Sequence, residues 1–120
     1  MDGFGDDFEE IREQFLGDWR ITKVNGYTEA ELHEGEPARL TFWEDETAEL
    51  VCAGHDVDLD VQFDETVDGL AAIAFKGRGR AGPKRVTVSG LGAIRHTGKT
   101  LEGSLTIGGR ARAFTAQRGQ

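Results

Sequence analysis

The sequence predicts an all-β domain in which a short N-terminal helix precedes a single antiparallel up-and-down barrel of about eight strands, which is favoured over the alternative of a β-sandwich. Three observations support this fold class. Beyond residue 16, apolar residues recur at every second position in segment after segment, which is the period of a β-strand. These segments are short and regularly spaced along the chain. Residues that form tight turns are abundant, because 17 of the 120 residues are glycine.

The segment 6–15 differs from the rest because its apolar residues have helical spacing. Acidic residues lie at its beginning, where the helix dipole favours negative charge. We expect this helix to end near Gly17. A chain of this length is the size of one domain. We therefore expect a single domain over residues 1–120, with the helix at about 6–15 and the barrel at about 17–118.

The clearest predicted strand is 56–64, DVDLDVQFD, in which apolar residues alternate with four aspartates and a glutamine. This pattern is typical of a strand with one buried face. The Gly108-Gly109 pair predicts a tight hairpin between the last two strands. Another predicted strand, the first along the chain, begins near Trp19. The remaining predicted strands cover 38–44, 47–53, 69–76, 85–90, 91–95, 101–108 and 110–117.

The inward faces of these strands would form the barrel interior. Eight strands enclose a space that side chains either fill or leave open for one small ligand. The large inward residues favour a filled interior, whereas small residues such as Ala48, Ala71, Gly103 and Ala116 favour an open one, and both alternatives remain. If a small, mostly apolar ligand binds in or near the barrel mouth, the lining residues are expected to be Trp19, Leu40, Phe42, Leu59, Phe63, Phe75 and Phe114.

Charge is distributed unevenly along the chain, which has a net charge of −8. Residues 1–75 carry 21 acidic and 4 basic side chains, whereas 76–120 carry 1 acidic and 10 basic side chains. One interpretation is an electric dipole that docks a charged partner. The other is that the two halves interleave in one sheet, so that opposite charges face each other across neighbouring strands.

The stretch 76–85, KGRGRAGPKR, contains the glycine spacing G-x-G-x-x-G. A dinucleotide-binding loop requires a helix after it, because the helix N-terminus supplies the amides that hold the phosphates. A strand pattern follows instead. A single-stranded RNA site would interleave aromatic residues with the basic ones, and none occurs between Phe75 and Phe114. We therefore expect a connection between two strands and no nucleic-acid partner.

Residues capable of metal binding or catalysis are few. The aspartates on 56–64 lack the glycine and glutamate of a calcium loop, so a solvated strand face explains them. The cysteine alternates with Leu50 and Ala48, which indicates a small buried residue rather than a nucleophile. We expect no catalytic residue, no metal and no cofactor. The residues weighed for these roles are Asp56, Asp58, Asp60, His33, His55, His96 and Cys52.

Residues 15–26, FLGDWRITKVNG, resemble the opening of a known superfamily. A Gly-x-Trp on the first strand after a short helix, here Gly17 and Trp19, resembles the motif of the calycins, the lipocalin-like barrels. The resemblance implies that this tryptophan closes one end of the barrel. It also implies that an arginine near the end of the last strand packs over the indole ring, an interaction worth about 0.5–2 kcal/mol.

Two arginines, Arg112 and Arg118, lie on or directly after the last predicted strand. Of the two we expect Arg112 to cover the indole, because it shares strand parity with the inward-facing Phe114. The closing segment 113–118, AFTAQR, together with the opening segment also resembles an uncharacterised family of small bacterial proteins. That resemblance covers about 15–118 and implies no activity.

These observations predict a non-enzymatic, soluble, cytoplasmic binding protein that takes a small apolar ligand. The alternative is a protein-interaction module with a filled barrel, either a homodimer or a protein that binds a charged partner. The acidic N-terminus has no apolar run of a signal peptide or membrane anchor, and one cysteine cannot form an internal disulfide. Trp43 is either an exposed contact residue at the barrel rim or packed under the helix.

Overall fold

The fold was analysed in a computed structural model of the chain. The structure describes residues 11–65, 71–81, 84–95 and 98–119, and for 65, 79–81, 84 and 85 it describes the backbone alone. The predicted helix at 6–15 is confirmed for its described part, because residues 11–15 are helical and form α1. Its first half lies outside the described residues.

Eight antiparallel strands form one closed barrel in which each strand pairs with the next and the last pairs with the first. The predicted fold class is therefore confirmed. A four-residue helix, α2, lies between the first two strands. The elements are β1 (Gly17–Val24), α2 (Glu29–Leu32), β2 (Arg39–Phe42), β3 (Thr47–Cys52), β4 (His55–Glu65), β5 (Ala71–Ala81), β6 (Lys84–Arg95), β7 (Thr100–Ile107) and β8 (Arg110–Arg118).

The strand β4 shows how the alternating sequence produces the barrel wall. Val57 and Leu59 are buried, whereas Asp58 and Asp60 on the opposite face are exposed. Successive side chains of a strand point to opposite faces, so this alternation directs the apolar residues inward and the carboxylates outward. The same arrangement in the other strands produces one hydrophobic core inside the barrel.

The prediction that 76–85 is a connection between strands is wrong. The strand β5 continues to Ala81 and β6 begins at Lys84, and these two residues are paired. The physical reason is that Gly77 and Gly79 alternate with basic residues, so the period of two persists through the stretch. A Cβ at Gly77 would collide with the carbonyl oxygen of Asp58, so glycine allows the close approach of β4 there.

The two segments predicted at 85–90 and 91–95 form the single strand β6. Inward positions in this strand are occupied by glycine as well as by valine and isoleucine, which weakens the apolar signal in the middle of the segment. Gly82 and Pro83, which separate the two strands in sequence, lie outside the described residues.

The two ends of the barrel are closed in different ways. At one end the ring of Phe15 on α1 packs against Trp19, Phe42 and Phe63, with centroid separations of 6.5, 5.6 and 5.8 Å. At the other end α2 places the buried Leu32 over the core. Its first turn is stabilised by a capping box, in which the Thr28 and Glu31 side chains accept hydrogen bonds from each other's backbone amides.

Candidate functional site

The seven residues predicted to line a ligand site all belong to, or pack against, one hydrophobic core. Six of them are buried, and Phe63 is partly buried at the end that α1 covers. Because the rings of Phe42 and Phe63 both contact Phe15, side chains rather than free space adjoin them at this end. The structure brings the predicted set together as packing partners: Trp19, Leu40, Phe42, Leu59, Phe63, Phe75 and Phe114.

Two inward-facing glycines of β6 show how the interior is filled. A Cβ at Gly90 would collide with the ring of Phe75 and would lie 2.6 Å from the Ser104 carbonyl oxygen. A Cβ at Gly92 would lie 3.0 Å from Leu101 and 3.6 Å from Phe114. Large side chains of neighbouring strands therefore occupy the space above these glycines. Of the two alternatives for the interior, these contacts favour the filled one.

The arginine that covers the indole of Trp19 is Arg118, so the prediction of Arg112 is wrong. The Cζ atom of Arg118 lies 4.3 Å from the ring centroid of Trp19. Arg112 and Arg118 have the same strand parity, so parity alone does not distinguish them. The register does, because Trp19 lies directly opposite Arg118 in the β1–β8 pair.

Arg112 lies at the opposite end of the barrel. Its guanidinium packs over the ring of Tyr27 at 4.8 Å and donates a hydrogen bond to the backbone carbonyl of Asn25 at 3.0 Å. Its charge also acts on Glu31, whose pKa is lowered mainly by hydrogen bonds from Thr28 and to a smaller extent by Arg112. Each end of the barrel thus has an arginine that packs over an aromatic ring.

Gly17 and Trp19 have structural roles at the junction between α1 and β1. Gly17 has a φ of 102°, a conformation that residues with a side chain rarely adopt, so glycine permits the change of direction there. The indole Nε1 of Trp19 donates a hydrogen bond to the carbonyl of Phe15 at 2.8 Å. The buried indole therefore has its polar atom satisfied while its ring closes the barrel.

The outer face of β3–β6 contains an open groove of about 800 Å³, which we call the seam groove. It crosses the boundary between β4 and β5. Trp43 lies at one side of it, and this side chain is 44% exposed, which confirms the alternative in which it is at the surface. The outward-facing residues that line the seam groove are Trp43, Thr47, Asp58, Asp60, Lys76, Arg78, Thr87 and Ser89.

A second open groove of about 780 Å³, the alanine groove, follows the outer face of β4–β7. Leu91 lies in it and is 63% exposed. Three small outward residues surround Leu91, and polar residues form the margin. The apolar residues along this groove include Phe63, Ala72, Ala74, Leu91 and Ala93.

Opposite charges meet at the boundary between β4 and β5. Asp58 is the register partner of Arg78, and Asp60 is the register partner of Lys76. The expected cross-strand placement of opposite charges is therefore confirmed at this boundary. The two halves of the chain do not interleave, however, because consecutive strands pair in order and the acidic strands remain together.

Ion pairs within 4.0 Å occur elsewhere on the described surface. Arg39 contacts Glu36 and Glu49, at 3.6 and 3.5 Å, and Arg95 contacts Glu102 at 3.5 Å. No ion pair of this kind joins the aspartates and cations of the seam groove within the described ranges. Their side chains point outward and are exposed.

Of the residues weighed for catalysis or metal binding, Cys52 and His55 are register partners in the β3–β4 hairpin. Cys52 is buried, and burial raises the pKa of its thiol to about 11, which disfavours the thiolate needed for nucleophilic attack. The Nδ1 atom of His33 accepts a hydrogen bond from the Ala38 amide at 2.9 Å. His96 lies outside the described residues. Among the residues that are described, no three His, Cys, Asp or Glu side chains form a cluster able to hold a metal.

No protein-family model matches this chain, and no curated protein is similar to it. Within the described ranges, no helix has the length and apolar character required to cross a membrane.

The exposure of Leu91 was not predicted from the sequence. The signal that identifies it is the parity of β6, in which Val88, Gly90 and Gly92 face inward, so that Ser89 and Leu91 must face outward. The glycines concealed this signal because they have no side chain with which to mark the buried face.

Proposed function

We propose that this protein is a non-enzymatic protein-interaction module. In this proposal the barrel is the scaffold and the outer face of β3–β6 is the binding surface. The observation that carries the proposal is the exposure of Trp43 and Leu91, two large apolar side chains on the described surface. Leu91 and the neighbouring Ala72, Ala74 and Ala93 form a contiguous apolar patch with polar residues at its margin. Such patches are typical of protein contact sites, and tryptophan is enriched among residues that contribute most to binding.

The contacts inside the barrel support this proposal over a ligand in the interior. The rings of Phe42, Phe75 and Phe114 face other side chains or the backbone of inward glycines. Side chains that contact one another offer no free surface at those contacts. The outer grooves, by contrast, are open to solvent and large enough to admit side chains of a partner.

We also propose that the chain is related to the calycin superfamily. The closed eight-stranded barrel and the stacking of Arg118 on Trp19 support this relationship. A cytoplasmic location is part of the same proposal, since the single thiol of Cys52 is suited to a reducing compartment.

A small apolar ligand is the second candidate function, and the alanine groove favours it. Phe63, which the sequence placed in the ligand site, borders this groove and is partly exposed. In this candidate function the ligand lies at the outer surface near the end of β4, where Phe63, Ala72 and Leu91 supply apolar contacts.

Native mass spectrometry of freshly purified protein distinguishes the two candidates. The interaction module is expected to appear at the mass of the chain, or at a multiple of it, without additional mass. A small molecule that remains bound to the single chain, and that is lost when Leu91→Asp alters the alanine groove, would contradict the proposed function and support the second candidate. A Lys23→Asp variant is the matched control, because Lys23 is an exposed residue on β1, outside both grooves.

A further inference from the structure

We infer that the partner is a second copy of this chain, bound through a two-fold interface whose axis runs along the boundary between β4 and β5. This inference rests on the proposed function, because it uses the same outer face. It identifies the partner and the relative orientation of the two copies, neither of which the proposed function specifies.

The first argument is the segregation of charge between neighbouring pairs of strands. The strands β3 and β4 contain six acidic and no basic residues. The strands β5 and β6 contain six basic and no acidic residues. Because the topology is up-and-down, these two pairs lie side by side in the barrel wall, and the seam groove crosses the line where they meet.

The second argument is that this arrangement is self-complementary. A closed two-fold dimer uses the same patch on both copies. Rotation by a half turn about an axis parallel to the strands, between β4 and β5, places β4 of one copy over β5 of the other at the same height. Asp58 of each copy then faces Arg78 of the other, and Asp60 faces Lys76. Each opposite-charge pair is formed twice.

These four side chains are available for such contacts. All four are exposed, and in the described part of the chain none of them makes an ion pair within 4.0 Å. Complementary charge of this kind determines the orientation of docking and increases the association rate more than it increases affinity. Apolar contacts must therefore supply much of the binding free energy.

The two exposed apolar residues are placed to provide those contacts. Trp43 follows β2 on the acidic side of the boundary, and Leu91 lies on β6 on the basic side. The half turn exchanges the two sides, so it brings the Trp43 side of one copy to the β6 side of the other. An apolar contact region then lies on each side of the charged pairs.

A second copy matches this surface better than a polymer of a single charge sign. A polyanion would meet the aspartates of β4, and a polycation would meet the basic residues of β5. Like charges placed opposite one another oppose binding. Only a surface with adjacent acidic and basic strips in the reverse order is complementary, and a rotated copy of this chain has that surface.

A pair of charge-reversed variants tests the inference. The first is Asp58→Arg with Asp60→Lys, which makes all four contact positions of β4 and β5 basic, and the second is Lys76→Asp with Arg78→Asp, which makes all four acidic. We expect sedimentation velocity, from micromolar to millimolar chain, to show a wild-type dimer and two monomeric variants. An equimolar mixture of the variants should form a heterodimer, because each basic strip then faces an acidic one.

The dissociation constant of the wild-type dimer should rise about tenfold when ionic strength rises from low to several times physiological, because screening weakens the charged pairs. Leu91→Asp should weaken the dimer without altering the pairs between β4 and β5. Lys23→Asp on β1 is the control and should leave the dimer unchanged. Circular dichroism confirms that each variant is folded before its mass is interpreted.

The outcomes separate the inference from the proposed function. A wild-type chain that stays monomeric throughout, with no bound small molecule, overturns the second copy as partner and leaves the interaction surface as proposed. Variants that dimerise as well as the wild type overturn the inferred orientation. A small molecule retained in the alanine groove overturns the proposed function itself.

Discussion

Arg118, on the last strand, contacts both the first strand and the helix that precedes it. Its guanidinium stacks on Trp19 of β1 and donates hydrogen bonds to the carbonyls of Gln14, Leu16 and Gly98, at 3.0 Å for Leu16 and 3.4 Å for Gly98. Three carbonyl acceptors suit a guanidinium, which has five N–H donors in a fixed plane. The last strand, the helix α1 and the first strand are therefore fastened by a single side chain.

Replacing Arg118 with alanine should lower the free energy of unfolding by about 2–3 kcal/mol, since it removes a cation–π contact and charged hydrogen bonds. Urea denaturation followed by tryptophan fluorescence measures this change. The matched control is Arg112→Ala, which removes one ring contact and one hydrogen bond at the other end. Arg112→Ala should lower the free energy of unfolding by less than half as much as Arg118→Ala does. Equal losses in both variants would contradict the role assigned to Arg118.

At the same residue scale, the sequence predicted the kind of contact but not its partner. The Gly17 and Trp19 pattern implied an arginine over the indole, and an arginine of β8 does cover it. Strand parity could not select between two arginines six positions apart, because both face inward. The register of the β1–β8 pair determines which arginine lies opposite Trp19. These two strands are far apart in sequence, so a local pattern does not contain their register.

At the scale of elements, the pairing of β3 with β4 places carboxylates together. Glu49 lies directly opposite Asp58. The pKa of Glu49 is raised, first by a hydrogen bond with Asp56 and then by burial and by the negative charge of Asp56, although Arg39 at 3.5 Å opposes this effect. Folding thus makes protonation of Glu49 easier than it is in the unfolded chain.

A raised pKa in the folded state means that the folded chain binds this proton more tightly than the unfolded chain does. The contribution of Glu49 to stability is therefore greatest below its unfolded pKa, near 4.5, and is lost as pH rises through its folded pKa. We expect Glu49→Gln to raise the free energy of unfolding at pH 7 by about 0.2–1 kcal/mol, the range for a cross-strand pair. Urea denaturation at a series of pH values measures both effects.

Glu102→Gln provides a control of opposite sign. The carboxylate of Glu102 lies 3.5 Å from Arg95, so its removal breaks an ion pair and should lower stability slightly. If Glu49→Gln also lowers stability at pH 7, the attraction of Arg39 outweighs the repulsion from the neighbouring aspartates, and the assignment of Glu49 is wrong.

The elements also show where the sequence was informative. The strand β4 was predicted almost to its ends, because every inward residue from Val57 to Phe63 is large and apolar. The hairpin of β5 and β6 was not, since glycine occupies inward positions at 77, 79, 90 and 92. Glycine has no side chain that identifies the buried face of a strand. The glycines that allow close packing therefore also interrupt the apolar alternation from which a strand is predicted.

At the scale of the whole molecule, alternation and spacing predicted an all-β fold and favoured a barrel over a sandwich, and the structure shows the closed barrel of eight strands. The surfaces proposed for binding could not be predicted in the same way. The seam groove combines Trp43 with residues from β3 to β6, and the alanine groove combines residues from β4 to β7. Such surfaces are created only when the strands close in order, so a pattern within one segment does not contain them.

The number of paired residues differs between neighbouring strands of the barrel. We expect local stability to be lower where fewer residues are paired. Four residue pairs join β2 to each neighbour, whereas nine join β4 to β5 and ten join β5 to β6. Local opening of β2 therefore breaks fewer hydrogen bonds than opening of β5. It would still expose Leu40 and Phe42, which limits the opening to a minor population.

Native-state hydrogen exchange measured by NMR tests this expectation. We expect the amides of Phe75 and its neighbours in β5 to exchange at least about tenfold more slowly than those of β2, because the former require opening of the long strands. Only amides that are hydrogen-bonded between strands are compared, so that solvent exposure alone does not determine the difference in exchange rate. Equal protection in β2 and β5 would show that the wall opens only as one cooperative unit, and would contradict a weak point at β2.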